Sequence, residues 1–139
     1  MTVERTFAII KPDAFAAGNA GKIIDAILAN GFKIAAMKAM HLTRGQAEGF
    51  YHVHAERPFF GELCDFMTQG PIIAMCLEKE GAIKAWRDLM GSTNPAEAAE
   101  GTMRKLYGAN IGSNATHGSD APETAAFELG YFFNCTEMV

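Results

Sequence analysis

The residues best suited to chemistry lie in the segment 114–120, which reads Asn-Ala-Thr-His-Gly-Ser-Asp. An imidazole is a competent nucleophile near neutral pH because much of it is already deprotonated, so His117 could accept a transferred group such as phosphoryl. Gly118 leaves that imidazole approachable. Asp120 and Glu123 have the Asp-x-x-Glu spacing of a capping box, which predicts a helix directly after the segment. His117 is therefore the first candidate for a catalytic residue.

Basic side chains elsewhere in the chain could complement a histidine nucleophile. Phosphoryl transfer depends on in-line positioning and neutralised phosphate oxygens more than on covalent chemistry by the protein. Positive charge could come from Lys11, Arg87 and Arg104, each at the end of a predicted element or in an irregular segment. Thr93 could donate its hydroxyl group to a phosphate, although a polar turn explains it equally well. Taken singly, these basic residues also fit solvated surface charges, and His117 also fits a half-buried histidine without chemistry.

Hydrophobic periodicity predicts strands and helices in alternation. The predicted strands comprise residues 6–10, 32–40, 72–77 and 131–133. The predicted helices comprise residues 21–29, 44–51, 59–67, 82–90 and 121–129, and a Thr43–Gln46 capping box opens the second of them. Residues 92–114 show little periodicity, and so long an irregular segment is usually functional or involved in assembly. The order β-α-β followed by β-α-β, with added helices, favours an α/β sandwich with an antiparallel sheet.

Length and composition favour a single domain spanning residues 1–139. Apolar residues make up 49% of the chain, yet no apolar run reaches the roughly 18 residues of a membrane span. The N-terminal sequence lacks the pattern of a signal peptide, so we expect a cytoplasmic protein. The three cysteines are odd in number and lie among apolar residues, which predicts neither a disulfide framework nor a metal site. The net charge of −4 weighs against sequence-independent binding to duplex nucleic acid.

Two motif-like segments are rejected as sites. The segment 18–22, Gly-Asn-Ala-Gly-Lys, resembles a Walker loop, but its glycine spacing is too short and Ile23 supplies no hydroxyl for Mg²⁺. His52 and His54 lack Asp, Glu or Cys at a fitting ligand spacing, so a metal pair is not expected there. A dinucleotide fingerprint, Gly-x-Gly-x-x-Gly, does not occur in the sequence.

Six segments together give the chain a family resemblance that covers practically its whole length. They are residues 4–13, 57–60, 70–71, 91–96, 101–104 and 114–120. In this order and spacing the chain resembles the nucleoside diphosphate kinases. The resemblance implies a ferredoxin-like βαββαβ fold, with a four-stranded antiparallel sheet, extra helices and a long loop. It also implies ping-pong transfer of the γ-phosphate from a nucleoside triphosphate, mainly ATP, to nucleoside diphosphates.

The resemblance also implies roles for individual residues. His117 would become a phosphohistidine, with Glu128 on its other ring nitrogen or beside it and Ser119 supporting both. The implied catalytic set is His117, Lys11, Glu128, Tyr51 and Ser119. The implied nucleotide-binding set is Lys11, Phe59, Arg87, Thr93, Arg104, Ile111 and Asn114. Phe59 would stack on the base with Ile111 opposite, and such flat apolar surfaces accept any base.

The family resemblance further implies what the protein binds and how it assembles. Mg²⁺ would be held by the nucleotide phosphates and water, without a protein side chain as ligand. The partners would be nucleoside di- and triphosphates and further copies of the chain, as a tetramer or hexamer, with no membrane and no specific nucleic acid. Lys105 and Leu106 replace a small residue and Asp that the family usually has after Arg104. The alternative function is a regulatory histidine phosphotransfer or scaffold protein of the same fold.

Overall fold

A computed structural model describes residues 2–139 as one antiparallel sheet covered by helices on both faces. The strands are β1 (Val3–Ile10), β2 (Lys33–Met40), β3 (Ile72–Glu80) and β4 (Thr116–Gly118). The α-helices are α1 (Pro12–Ala16), α2 (Ala20–Ala29), α3 (Arg44–Phe50), α4 (Phe60–Met67), α5 (Ala82–Met90), α6 (Met103–Tyr107) and α7 (Pro122–Phe132). Single 3₁₀ turns occur at His52–His54, Pro95–Glu97 and Cys135–Glu137.

The sheet has the strand order β2-β3-β1-β4, with every neighbouring pair antiparallel. This order confirms the predicted ferredoxin-like βαββαβ fold. Strand β1 is central, and its residues Phe7 to Ile10 are fully buried because both faces of the sheet are covered. Pairing of β1 with β4 sets Ile9 opposite His117. The candidate nucleophile therefore lies on an edge strand paired with a strand that is fully buried from Phe7 to Ile10.

Two apolar clusters pack on the two faces of the sheet. One contains Phe7 and Ile9 of β1 together with side chains of α3, α4 and α7. The other contains Ala8 and Ile10 with side chains of α2 and α5, among them the fully buried Trp86. Alternate residues of β1 enter opposite clusters because side chains alternate across a strand. Helices α5 and α7 are consequently fixed on opposite sides of the strand that carries His117.

The predicted final strand at 131–133 is wrong. Residues 131 and 132 form the last turn of α7, where the Phe132 ring stacks on Phe7 at 5.0 Å between centroids. The sheet position predicted for this segment is taken by β4, which is short and holds Thr116, His117 and Gly118. An aromatic run suits either a strand or a buried helix end, and here packing against β1 decides for the helix.

The two predicted capping boxes have different outcomes. The Thr43–Gln46 box is confirmed, because Thr43 Oγ1 accepts the Gln46 N–H at 3.1 Å and Gln46 Oε1 accepts the Thr43 N–H at 2.9 Å. The box predicted from Asp120 and Glu123 is wrong. Thr124 Oγ1 instead accepts the Ala121 N–H at 3.0 Å and lies 2.8 Å from Asp120 Oδ1. A hydroxyl that both accepts and donates can serve the backbone and the carboxylate together.

The irregular segment 92–114 contains more local structure than its composition indicates. Helix α6 and one 3₁₀ turn form within it, and Thr102 caps α6 by accepting the Lys105 N–H. The third strand also continues three residues beyond its predicted end, to Glu80. Within residues 2–139, no helix has both the length and the apolar character to cross a bilayer.

Candidate functional site

The imidazole of His117 is tied to helix α7 through a carboxylate. Its Nε2 lies 3.0 Å from Glu128 Oε1, and the Ser119 hydroxyl donates to the same oxygen at 2.7 Å. An ionised carboxylate can only accept, so it favours the proton on Nε2 and leaves the lone pair of Nδ1 free. The His117 side chain keeps 21% of its surface exposed. The arrangement suits a nucleophilic nitrogen that can be reached from outside.

Aromatic rings enclose the imidazole on its inner side. The rings of Phe7, Phe50 and Tyr51 lie 6.1, 5.6 and 6.5 Å from it between centroids, each approaching edge to face. Rotation of the imidazole would drive it into these rings, which belong to a close-packed core. Phe50 was not among the residues expected at the site, because a single apolar residue on a helix carries no signal beyond burial.

Two guanidinium groups hold the backbone on both sides of His117. Arg104 donates to the carbonyl of Thr116 at 2.9 Å and to that of Gly91 at 3.1 Å. Arg87, on α5, donates to the carbonyl of Gly118 at 3.4 Å. Arg104 comes from α6, so the order within the 92–114 segment brings this charge to the strand that carries His117. Each arginine thereby places a positive charge on the backbone of a residue next to His117.

Lys11 and Asn114 join the end of β1 to the segment before β4. The Lys11 ammonium donates to Asn114 Oδ1 at 2.9 Å, and the Asn114 amide donates to the carbonyl of Thr93 at 3.0 Å. Pro12 directly after Lys11 ends the strand and opens α1, which leaves the lysine at the helix start. All three predicted residues therefore belong to one hydrogen-bonded group.

Burial and neighbouring positive charges make Lys11 and Arg104 less basic than usual. Burial lowers the pKa of Lys11 to about 8, with the Arg104 charge acting in the same direction and the Asp13 carboxylate acting against it. Burial, and then the Arg87 charge, lower the pKa of Arg104 to about 10. The Arg104 Nε is also buried without a hydrogen-bond partner in residues 2–139. A bound anion would relieve this crowding, which is the electrostatic requirement of a phosphate site.

A cavity of about 670 Å³ opens beside Lys11. Four of the predicted residues line it, namely Lys11, Phe59, Thr93 and Ile111. Phe59 and Ile111 are 45% and 60% exposed, so both offer apolar surface that a planar ligand could cover. The remaining predicted residues do not form its wall. The His117 cluster comprises His117 with Tyr51, Glu128, Ser119, Arg87, Arg104, Asn114 and Lys11. Lys11, which hydrogen-bonds Asn114, also lines the cavity.

Tyr51 reaches the same cluster but its hydroxyl is isolated. The residue is 6% exposed, and its buried hydroxyl oxygen has no hydrogen-bond partner among residues 2–139. Burial, and to a smaller extent the Glu128 charge, raise the pKa of Tyr51 well above its usual value, which keeps the hydroxyl protonated. A buried hydroxyl without a partner costs stability, so the fold gains from any acceptor delivered there.

Sequence reasoning missed Glu62 on the cavity wall. Glu62 of α4 lies three residues after Phe59, which directly precedes the helix with helical backbone angles, so helical spacing brings both side chains to one side. That spacing could have revealed it. The rejected histidine pair has separate neighbours, because His52 bonds the carbonyl of Gly49 and His54 packs against the Phe59 ring.

A known family matches almost the whole chain. The family model described as nucleoside diphosphate kinase matches residues 4–138. The chain belongs to the nucleoside diphosphate kinase family. The nucleoside diphosphate kinase of Trichlorobacter lovleyi, a member of this family, is 63% identical over 137 residues, covering 99% of both chains. The resemblance inferred from six segments is therefore confirmed over nearly the whole chain.

Solved structures of the family share the fold. The Aquifex aeolicus nucleoside diphosphate kinase superposes with a TM-score of 0.98 at 45% identity, covering 99% of this chain and 100% of that one. A halophilic member from Halobacterium salinarum, solved in complex with CDP, gives a TM-score of 0.95 at 37% identity. It covers 99% of this chain and 92% of its own.

Proposed function

We propose that the chain moves the γ-phosphate of a nucleoside triphosphate, mainly ATP, to nucleoside diphosphates through a phosphohistidine on His117. One observation carries this proposal: the imidazole of His117 is anchored, and the residues before and after it each have a carbonyl bound by an arginine. Glu128 holds Nε2 at 3.0 Å, while Arg104 and Arg87 bind the backbone at Thr116 and Gly118. A fixed nucleophile among fixed cations is what phosphoryl transfer requires of a protein.

In the first half-reaction the Nδ1 lone pair of His117 forms a bond to the γ-phosphorus. The bond from that phosphorus to the β-phosphate oxygen breaks, and the nucleoside diphosphate leaves with the electron pair. In the second half-reaction a terminal oxygen of another diphosphate attacks the same phosphorus and the P–N bond breaks. Glu128 supports the positive charge that the ring gains while it carries the phosphoryl group. Ser119 keeps the Glu128 carboxylate oriented towards Nε2.

The phosphates and sugar are assigned to the polar side chains between the cavity and the nucleophile. They are Lys11, Tyr51, Arg87, Thr93, Arg104 and Asn114. The base is assigned to Phe59 and Ile111, whose surfaces make no demand on base identity. The halophilic relative binds CDP, a pyrimidine nucleotide. We therefore expect similar kcat/KM values for GDP, CDP and UDP as acceptors of phosphate from ATP.

Mg²⁺ is assigned to the nucleotide and not to a protein side chain. The residues at the site fit this division, because Lys11, Arg87 and Arg104 provide cations that attract phosphate oxygens and repel a bare metal ion. A magnesium ion bound by phosphate oxygens and water would neutralise part of the triphosphate charge. The protein side chains would then position and neutralise the remainder.

Assembly and setting complete the proposal. Residues 1–139 would act as a single domain, within a tetramer or hexamer of identical chains in the cytoplasm. Strand β2 is an edge of the sheet and exposes half of Met37, which offers a surface for another copy. The three cysteines are free thiols, in keeping with a reducing compartment. Light scattering of the purified protein would give the number of subunits.

The decisive experiment follows the phosphoryl group onto the protein. After incubation with γ-labelled ATP, the label should be acid-labile and base-stable, as a phosphoramidate on histidine is. His117→Ala should abolish both the label and the exchange. His41→Ala is the matched control, because this histidine bonds the carbonyl of Thr68 outside the cluster and should label normally without affecting exchange. Full exchange by His117→Ala would remove the proposed mechanism.

A further inference from the structure

The residue before β4 has an unusual backbone conformation. Ala115 is fully buried and has a φ of +74°, which makes it the single non-glycine residue with positive φ within residues 2–139. The N–H of Thr116 donates to the carbonyl of Asn114 at 2.9 Å, across Ala115. A hydrogen bond between residues two apart, with positive φ at the centre, defines the rare and strained form of the γ-turn. Such strain persists only where surrounding contacts enforce it.

The contacts that enforce this turn come from one short segment. Asp13 Oδ2, on α1, accepts the Ala115 N–H at 3.0 Å. The backbone N–H of Lys11 donates to the Ala115 carbonyl at 2.8 Å. Both polar groups of the Ala115 backbone are thus bound by residues separated by only one position. The carboxylate is the stronger contact of the two, because a charged acceptor strengthens a hydrogen bond in a buried site.

The turn separates two of the residues assigned to the reaction. Asn114 precedes it and reaches Lys11 and Thr93, whereas His117 follows it, in register with β1. A reversal of the chain at Ala115 lets both side chains enter one cluster although they are three positions apart. Relaxation of Ala115 to an ordinary φ would displace Asn114 relative to His117.

We propose that Asp13 is a positioning residue, whose carboxylate holds the γ-turn at Ala115 and thereby sets Asn114 and His117 in their reactive relationship. This inference rests on the proposed function of His117. It assigns to Asp13 no contact with the nucleotide. The second carboxylate oxygen, Oδ1, is buried without a hydrogen-bond partner in the described chain. Burial of this oxygen lowers stability, so the contact of Oδ2 with Ala115 is made at the expense of stability.

The charge of Asp13 has a further effect on the same cluster. It opposes the lowering of the pKa of Lys11 that burial and Arg104 cause. Asp13 therefore keeps Lys11 cationic to a higher pH while it holds the turn. The two effects can be separated, because Asn at position 13 keeps an acceptor for the Ala115 N–H but loses the charge.

The test combines substitutions at positions 13 and 115. Asp13→Ala should lower kcat for exchange about 10-fold, the loss expected from one buried hydrogen bond. The kcat of Asp13→Asn should stay within about 3-fold of the wild-type value at pH 7. As the pH is raised above 7, this variant should lose activity at a lower pH than the wild type does. Ala115→Gly, which adopts positive φ without strain, should leave the wild type nearly unchanged and restore Asp13→Ala to within about 3-fold. If Asp13→Ala does not fold, Asp13→Ser replaces it in the same test, alone and combined with Ala115→Gly.

Three outcomes decide the matter. Rescue by Ala115→Gly supports the positioning role, since a merely structural role of Asp13 would respond to glycine in melting temperature and not in kcat. Full activity of Asp13→Ala overturns the positioning role. The role is also overturned if Asp13→Asn loses as much activity as Asp13→Ala and Ala115→Gly does not restore it. His117→Ala measured in parallel keeps the two proposals distinct, because exchange by that variant would refute the histidine carrier whatever the Asp13 variants show.

Discussion

The indole N–H of Trp86 donates a hydrogen bond to the backbone carbonyl of His117 at 3.1 Å. Trp86 is fully buried and lies on α5, one residue before Arg87, which binds the next carbonyl along β4. A Cβ atom built on Gly118 would lie 2.5 Å from the indole ring. Strand β4 therefore packs against α5 so closely that position 118 has no room for a side chain.

Trp86→Phe should lower both stability and turnover. The smaller ring removes the donor, leaves the His117 carbonyl unpaired and opens a gap against β4. We expect a loss of about 1–3 kcal/mol in the free energy of unfolding, measured by urea denaturation. We also expect a fall in kcat of several-fold, because β4 becomes less constrained. An unchanged kcat together with the stability loss would separate the packing of this strand from catalysis.

The pH dependence of activity should report the titration of Lys11. Because the pKa of Lys11 is about 8 in the folded protein, kcat/KM should fall above pH 8 as the cation is lost. The folded protein binds fewer protons than the unfolded chain between pH 8 and the ordinary lysine value of 10.5, so the Lys11 contribution to stability rises across that interval. Its charge therefore destabilises the ligand-free fold below pH 8, and bound phosphate should offset that cost.

Lys11→Met tests both parts of this prediction. Relative to wild type it should remove the stability slope between pH 8 and 10.5 and lower kcat/KM at pH 7. Lys84→Met is the control, because this lysine lies on the surface in a pair with Asp88. A falling limb of kcat/KM that survives in Lys11→Met would assign the titration to another group.

Glu128→Gln should slow the formation of the phosphohistidine about 10²-fold. The amide loses the charge that supports the ring and no longer dictates which nitrogen carries the proton. Ser119→Ala should slow it about 10-fold, since it removes one hydrogen bond to the same carboxylate. Rapid-quench measurement of the label would give both rates. Glu123→Gln, exposed on the same helix, is the control and should label at the wild-type rate.

Tyr51→Phe should stabilise the ligand-free protein while it slows exchange. The buried hydroxyl has no partner, so its removal should raise the free energy of unfolding by about 1 kcal/mol. Tyr131→Phe should change stability in the opposite direction, because the Tyr131 hydroxyl donates to the carbonyl of Gln46 at 2.8 Å. Thermal melts of the two variants give the contrast. A destabilised Tyr51→Phe would show that the hydroxyl has a partner in solution.

Glu62→Gln should lower the KM for all nucleotides alike. The carboxylate lines the cavity and repels phosphate, and an exposed charge at about 4 Å is worth about 1 kcal/mol or less in water. We expect KM to fall about 2- to 5-fold in low salt and the effect to shrink as salt is added. Asp65→Asn, on the same helix but away from the cavity wall, should leave KM unchanged. A change confined to one base would instead indicate direct contact of Glu62 with the base.

Several features of the site were accessible from the sequence because they depend on local order. The β1 run ending at Lys11-Pro12 fixes a cation at the end of a central strand. The Thr43–Gln46 box was equally local. Strand β4 was not predictable from pattern, since a three-residue strand of polar and small residues has no hydrophobic alternation. Its place follows from long-range contacts, namely pairing with β1 and the Trp86 and Arg87 hydrogen bonds from α5.

The same limit explains what the sequence did not reveal around His117. Gly118 was expected to leave the imidazole approachable, and the structure adds a second reason for glycine, since the close approach of Trp86 excludes a side chain there. Asp13 lies in the segment 4–13 that contributes to the family resemblance, but its role gave no signal, because its partner Ala115 is 102 positions away and is an ordinary residue by type. Backbone strain and partners distant in sequence are properties of the folded chain, and no periodicity or motif encodes them.

The rings around the imidazole bear on whether the donor and acceptor nucleotides use one binding site or two. Phe7, Phe50 and Tyr51 approach the ring edge to face while Glu128 anchors it. If His117 carries the phosphoryl group, as we propose, rotation of its side chain cannot move that group to a second site. A carrier that does not move can exchange phosphate with only one nucleotide-binding site. Donor and acceptor must consequently occupy it in turn, and a diphosphate that settles on the unloaded protein will block the next triphosphate.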